Sequence, residues 1–262
     1  MTKNEIKYFV NLKKKEFRDS EDIFLIEGTH LIGECLSSKY YKNNLTRIFI
    51  TSNYKNVLLE KLKTAGFAFE VLQENIFNKL SETKNPQGII AVVKINVGKI
   101  FTGIDVDLAI ALDNINDPGN LGTILRTCWW FGVNKIFISS NSVDLFNSKV
   151  IRGSQGALFN LDISTNIDLN KTLKGLSNIG WKLYATDLKA NKYLDEIDFG
   201  VTKKNIFVFG NEANGISTEI LSNPLFKKIK IKGHSSCESL NIGVSVGIVL
   251  DYILNRKLKT PQ

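Results

Sequence analysis

Apolar residues recur along this chain in short runs, and the stretches between them carry helical spacing. Over the first hundred residues the runs at 24–28, 47–51, 67–72 and 88–95 predict strands, and 29–37 and 57–65 predict helices, the second ending at Gly66. The pattern breaks at 97–103, placing a boundary between a first α/β domain, 1–97, and a second, 104–262. The second half alternates more regularly. Apolar runs at 106–112, 135–139, 181–186, 205–210 and 228–232 are separated by helical stretches at 120–131, 147–158, 168–179 and 239–257. Strands alternating with helices predict a parallel sheet covered on both faces. Ligand crevices of such sheets lie at the carboxyl ends of the strands, so the loops 113–120, 210–217 and 232–239 are where chemistry is expected.

Composition narrows the class. With 262 residues and 43% hydrophobic content the chain can fill two ordinary cores. A net charge of +8 favours a polyanionic partner, nucleic acid foremost. Cys35, Cys128 and Cys237 are odd in number and far apart, and His30 and His234 are the only histidines, so neither a disulfide framework nor a metal centre is expected. Residues 1–18 are studded with charge and do not read as a secretory signal. The longest apolar stretch, 242–250, is too short to span a bilayer. A cytoplasmic protein without membrane or metal is the expectation.

The first loop leaves its strand at Asp113, turns at Asp117-Pro118-Gly119 and opens a helix in which Asn120 occupies an N-cap position. Arg126 stands four residues after Gly122, and helical side chains lean toward the N-terminus, so its guanidinium can run over the bare glycine toward the open helix end. Such an end can hold an anion or a polar ligand. In the second loop, Gly210 and Gly215 permit close backbone approach to a ligand around a single acid, Glu212, and Ser217 can cap the short helix after it. The same residues would also serve as a plain turn with a solvated carboxylate. In the third loop, Ser239 can cap the last helix and Asn241 falls in its first turn. That helix alternates Gly243, Ser245 and Gly247 with larger apolar residues, which suits either a subunit interface or a buried core helix. Cys128 reads as core. Of Trp129 and Trp130, one can pack while the other reaches a surface.

No phosphate-binding G-x-x-x-x-G-K-[ST] motif, dinucleotide G-x-G-x-x-G or nucleophile elbow occurs. Together, however, Asn114…Asp117-Pro118-x-Asn120-x-Gly122-x-x-x-Arg126, Gly210-x-Glu212-x-x-Gly215 and Ser239-Leu240-Asn241 resemble, in order and spacing, the three motifs of SpoU-type (TrmH-like) RNA ribose 2′-O-methyltransferases of the SPOUT class. The segments 16–28 and 85–91 resemble the L30e-like RNA-binding domain that precedes the catalytic domain in many members. This suggests the ribosomal-RNA or thiostrepton-resistance branch over the transfer-RNA branch.

The resemblance implies an L30e-like substrate-binding domain, 1–97, and a SPOUT catalytic domain, 104–262, with a parallel sheet and a C-terminal trefoil knot. It implies S-adenosylmethionine as cofactor, held by backbone groups at Gly210, Ile231 and Leu240 with Thr186 and Asn211 beside them, and a homodimer acting on RNA, 23S ribosomal RNA foremost. Arg126 would act on the ribose 2′-hydroxyl, with Asn120, Glu212, Ser239 and Asn241 arranging the site. Because a guanidinium stays protonated, polarising the hydroxyl or stabilising the forming alkoxide is its expected role. A transfer-RNA methyltransferase and a non-catalytic RNA-binding protein of the same fold are the alternatives. One departure stands out: Lys232-Gly233 occupy the place where the family usually shows Pro-Met.

Overall fold

Two separate apolar cores account for the two halves of the pattern. A computed structural model describes residues 1–96, 107–199, 204–234 and 236–256. The expected boundary at 97–103 lies outside the described residues. By contacts the chain separates into two compact units, and the segment Phe146–Asn160 is counted with the first.

The first unit runs α1 (Lys3–Asn11), α2 (Lys15–Glu21), β1 (Ile23–Glu27), α3 (Thr29–Ser37), β2 (Leu45–Thr51), α4 (Leu58–Thr64), β3 (Glu70–Leu72), α5 (Glu74–Leu80) and β4 (Ile89–Lys94). Its sheet has the order β1-β4-β2-β3, with β4 antiparallel to both neighbours and β3 parallel to β2. The helices α1, α2 and α5 are not visible in the apolar pattern. α1 is set by a capping box, in which Thr2 accepts the Glu5 amide and the Glu5 carboxylate accepts the Thr2 amide. It buries Phe9 against Phe49, Phe77 and Leu80.

The second unit contains β5 (Leu108–Leu112), α6 (Pro118–Trp130) and β6 (Lys135–Ser139), and, after the helix α7 (Ser148–Ser154) of the first unit, β7 (Asp162–Ile167), α8 (Leu169–Asn178), β8 (Lys182–Thr186), β9 (Asn205–Phe209), α9 (Thr218–Leu221), β10 (Phe226–Ile229) and α10 (Ile242–Asp251). All six strands are parallel, in the order β10-β8-β9-β5-β6-β7. The α/β class and the parallel sheet are thus as expected, with most strand and helix ends shifted by up to three residues; α7 stops at Ser154 where 158 was expected, and α10 starts at Ile242 and passes at Asp251 into a π-helical turn, Tyr252–Arg256. One strand, β7, is absent from the apolar pattern. It reads Asp-Ile-Ser-Thr-Asn-Ile, an edge strand too polar to stand out as an apolar run, and its Asp162 binds the buried Lys135 of β6 at 2.9 Å.

This strand order fixes where a crevice can form. β5 begins the sheet, β6 and β7 extend it one way, and β8 to β10 extend it the other, so β5 and β9 are neighbours whose following loops diverge. Such a switch point leaves room between the loops at the carboxyl ends of the two strands. Among the described residues no helix is long and apolar enough to cross a membrane.

Candidate functional site

At that switch point the first two loops are tied to each other. The buried Asp113 amide donates to Phe209 O at 2.8 Å, and the Asp113 carboxylate accepts the Ser217 amide at 2.8 Å. Asn114 takes a left-handed conformation, φ 56°, which asparagine tolerates better than most residues. Its amide is held by Ser139 Oγ at 2.8 Å, and its carbonyl accepts Asn211 Nδ2 at 2.9 Å. Asp113, Asn114 and Ser139 are not among the site residues expected from the sequence. The signal that could have found the first two is an Asp-Asn pair directly after a buried strand.

The caps differ from expectation in three places. α6 begins at Pro118, and its N-cap is Asp117, whose Oδ1 accepts the Asn120 amide at 2.7 Å. Proline at the first helical position and an acid before it are both strong starting signals, and here they outrank the asparagine. α10 is capped by Asn241, not Ser239: Asn241 Oδ1 accepts the Gly243 amide at 2.9 Å and the Val244 amide at 3.4 Å. Ser217 stands at the N-cap of α9 but makes no side-chain cap bond.

Relieved of capping, the Asn120 side chain joins all three loops. Asn120 Nδ2 donates to Glu212 Oε1 at 2.8 Å, and Asn241 Nδ2 donates to Asn120 Oδ1 at 2.9 Å. The direction of this chain follows from its ends. The helix amides at α10 can only donate, which turns Asn241 Oδ1 toward them and its Nδ2 toward Asn120. A carboxylate can only accept, which turns Asn120 Nδ2 toward Glu212. Each amide therefore has a single orientation, and the carboxylate is held at a defined point of the crevice. Asn120→Asp replaces the donor by a second carboxylate facing Glu212. Activity is expected to fall at neutral pH and partly recover as pH falls, because like charges raise one carboxyl's pKa and its protonated form can donate again. A pH–rate profile parallel to the wild type would contradict this.

Glycine has different uses in the two halves of the site. A Cβ on Gly210 would overlap the backbone of Gly215 and Ile216, so the loop's own closure requires a bare position here. The loop is locked by paired Asn211–Gly215 backbone bonds of 2.9 Å, with Gly215 at φ 70°. Asn211 Oδ1 also accepts the Ala213 and Asn214 amides, so this side chain braces the loop. Thr186 Oγ1 donates to Val208 O at 3.0 Å. On α10, Gly243 and Gly247 face Thr123 and Thr127 of α6, while Val244 and Ile248 are exposed.

Arg126 lies on α6, exposed, with no hydrogen bond or ion pair to any described residue. Ser239 and Leu240 are exposed in the third loop, where no described residue takes up the backbone groups of Ile231 or Leu240. Trp130 is 85% exposed at the end of α6. Cys128, two residues after Arg126, is fully buried, and burial pushes its thiol well above the ordinary range; that of Cys35 is pushed up to about 12. A thiol-specific reagent at neutral pH is expected to modify one cysteine of three in the native protein, the exposed Cys237, and all three after denaturation. Modification of a second native thiol would contradict the burial.

Comparison with known proteins places both units. Residues 107–251 match the SpoU rRNA Methylase family, and residues 3–91 match the MRM3-like substrate binding domain. Over 249 residues the chain is 28% identical to the 23S rRNA (guanosine(2553)-2′-O)-methyltransferase RlmP of Bacillus subtilis, covering 95% of each chain. It is 31% identical to the human mitochondrial rRNA methyltransferase 3 over 60% of this chain and 38% of that one. A putative RNA methyltransferase of the TrmH family from Porphyromonas gingivalis superposes with a TM-score of 0.85 at 28% identity, over 98% of this chain and 99% of that one.

Proposed function

The chain belongs to the SpoU rRNA methylase family, and from that premise we propose that it transfers a methyl group from S-adenosylmethionine to a ribose 2′-hydroxyl of ribosomal RNA, most directly 23S. The observation that carries this reading is the Glu212–Asn120–Asn241 chain, which gathers one polar side chain from each of the three motif loops at the sheet's switch point. A site for a small ligand needs few polar groups, but held ones.

The residues present fit the cofactor. Among the described residues the backbone groups of Gly210, Ile231 and Leu240 are without hydrogen-bond partners, and such groups are what a ligand held by main chain requires. The cofactor supplies, when bound, a sulfonium methyl group open to attack by an oxygen nucleophile. The chain's residues supply the rest. Asn120 and Asn241 hold Glu212, and Glu212 with Ser239 orients the ribose. Arg126, a guanidinium without a partner among the described residues, lies on the helix that opens at the crevice and stabilises the oxygen as it loses its proton. Bringing that oxygen in line with the methyl group supplies much of the acceleration.

The reading further takes the protein to be a cytoplasmic homodimer with a trefoil knot in its C-terminal half. The exposed Val244 and Ile248, beside a cavity of about 310 Å³ lined with Leu194, Gly247, Asp251 and Tyr252, support an interface on α10. The match to an rRNA methylase family and the likeness to a 23S rRNA methyltransferase over 95% of each chain favour ribosomal over transfer RNA as substrate. The test uses unmodified transcripts of the organism's own 23S, 16S and transfer RNAs with radiolabelled S-adenosylmethionine. Label is expected in 23S RNA. Label confined to transfer RNA would overturn the ribosomal assignment, and label in none would overturn the activity.

A further inference from the structure

Where β8 and β10 end, a basic surface lies beside the third loop that none of the motif residues explains. The segment after β8 and the segment after β10 are bound together: the Lys230 amide donates to Lys192 O at 3.0 Å, and the Leu194 amide donates to Lys230 O at 2.8 Å. Between them Tyr193 presents its ring to two ammonium groups, Lys230 Nζ at 4.8 Å and Lys232 Nζ at 5.9 Å from the ring centroid. Lys189 and Lys192 are exposed in the same segment.

The local carboxylates do not neutralise this cluster. Asp187 accepts the Lys189 amide at 2.9 Å and Glu196 accepts the Tyr193 amide at 2.8 Å, and neither these nor the exposed Asp195 forms an ion pair with the four lysines among the described residues. None of the four ammonium groups has a hydrogen bond or ion pair among the described residues. A lysine over a partly exposed ring gains little, and a second cation on the same ring adds repulsion. Lysines also discourage pairing at a sheet edge. That purpose is served by Lys227 and Lys228, which lie on the edge strand β10 itself, whereas Lys230 and Lys232 lie beyond its end.

We propose that this lysine–tyrosine surface holds the phosphate backbone of the RNA substrate next to the methyl-transfer site, an inference that rests on the RNA methyltransferase reading. All six strands are parallel, so the surface and the Glu212–Asn120–Asn241 chain stand along the same edge of the sheet. At about 4.8 Å per strand, β8 lies roughly 10 Å and β10 roughly 15 Å from β5, within reach of phosphates flanking a nucleotide in the site. The replacement of the family's usual Pro-Met by Lys232-Gly233 thus becomes a gain of positive charge with space around it, since a Cβ at Gly233 would meet nothing within 4 Å.

The test compares wild type, Lys230→Ala/Lys232→Ala and Lys171→Ala/Lys174→Ala. The last pair removes the same charge from exposed positions of α8 in the same unit. Binding of a 23S RNA transcript is measured between 50 and 200 mM salt, and S-adenosylmethionine affinity by calorimetry. The 230/232 variant is expected to bind RNA about tenfold more weakly at low salt, with a salt slope shallower by roughly 1.5, and to bind S-adenosylmethionine as the wild type does. RNA binding and slope equal to the 171/174 control would overturn the proposal, as would a loss confined to S-adenosylmethionine. Absence of RNA binding by the wild type would instead overturn the RNA reading beneath it.

Discussion

Arg126→Ala is expected to lower kcat about 10²–10³-fold, the scale found when one preorganised stabiliser of a developing oxyanion is removed. The fold should be indifferent to the change. Arg126 is exposed and bonded to nothing described, and substitutions at such positions alter stability within about 0.5 kcal/mol. S-adenosylmethionine affinity should also persist, because the backbone groups assigned to the cofactor lie on other loops. Arg126→Lys separates two forms of the role. It keeps the charge and loses the planar fork, so a rate near wild type would show that a point charge suffices, and a rate near that of alanine would show that the fork orients the ribose oxygen. Unchanged turnover in Arg126→Ala would remove Arg126 from the machinery altogether.

The second large effect concerns stability. Lys135 is buried, its side chain 2% exposed, and its ammonium is bonded to Asp162 Oδ2 at 2.9 Å and Ser164 Oγ at 3.3 Å. Asp162→Ala leaves that cation in the sheet without its counter-charge, a situation that costs about 3–5 kcal/mol, a large part of the stability of an ordinary domain. Lys135→Met with Asp162→Ala removes both charges and keeps the volume, and is expected to recover most of the loss. All three tryptophans, at 129, 130 and 181, lie in the second unit, so their fluorescence in urea reports this sheet alone. A cost under about 1 kcal/mol for Asp162→Ala would mean that water reaches the ammonium once the aspartate is gone.

How far the sequence is legible depends on whether the physics is local. The apolar strands β5, β6, β8 and β9 are readable because most or all of their residues are buried. β7 is not, since its polar residues gain their place through Lys135, 27 residues away. The helix starts are readable to within two or three residues. Asp117 and Asn241 take the caps expected of Asn120 and Ser239, because the choice among adjacent cap residues is made by what else each side chain can reach. The three motifs are recognisable as a set. Their connection is not, for the bonds that unite them span 92 and 121 residues and depend on Asn120 being free of capping. Gly210 illustrates the same limit, as its neighbour is the returning arm of its own loop.

The position of the transferred methyl group tests the account most directly. RNA labelled by the protein from radiolabelled S-adenosylmethionine is hydrolysed completely in alkali, a cleavage that requires a free 2′-hydroxyl. All label is expected in an alkali-resistant dinucleotide, and Arg126→Ala is expected to give the same product at a much lower rate. Label recovered in mononucleotides would place the methyl group on a base and contradict the account.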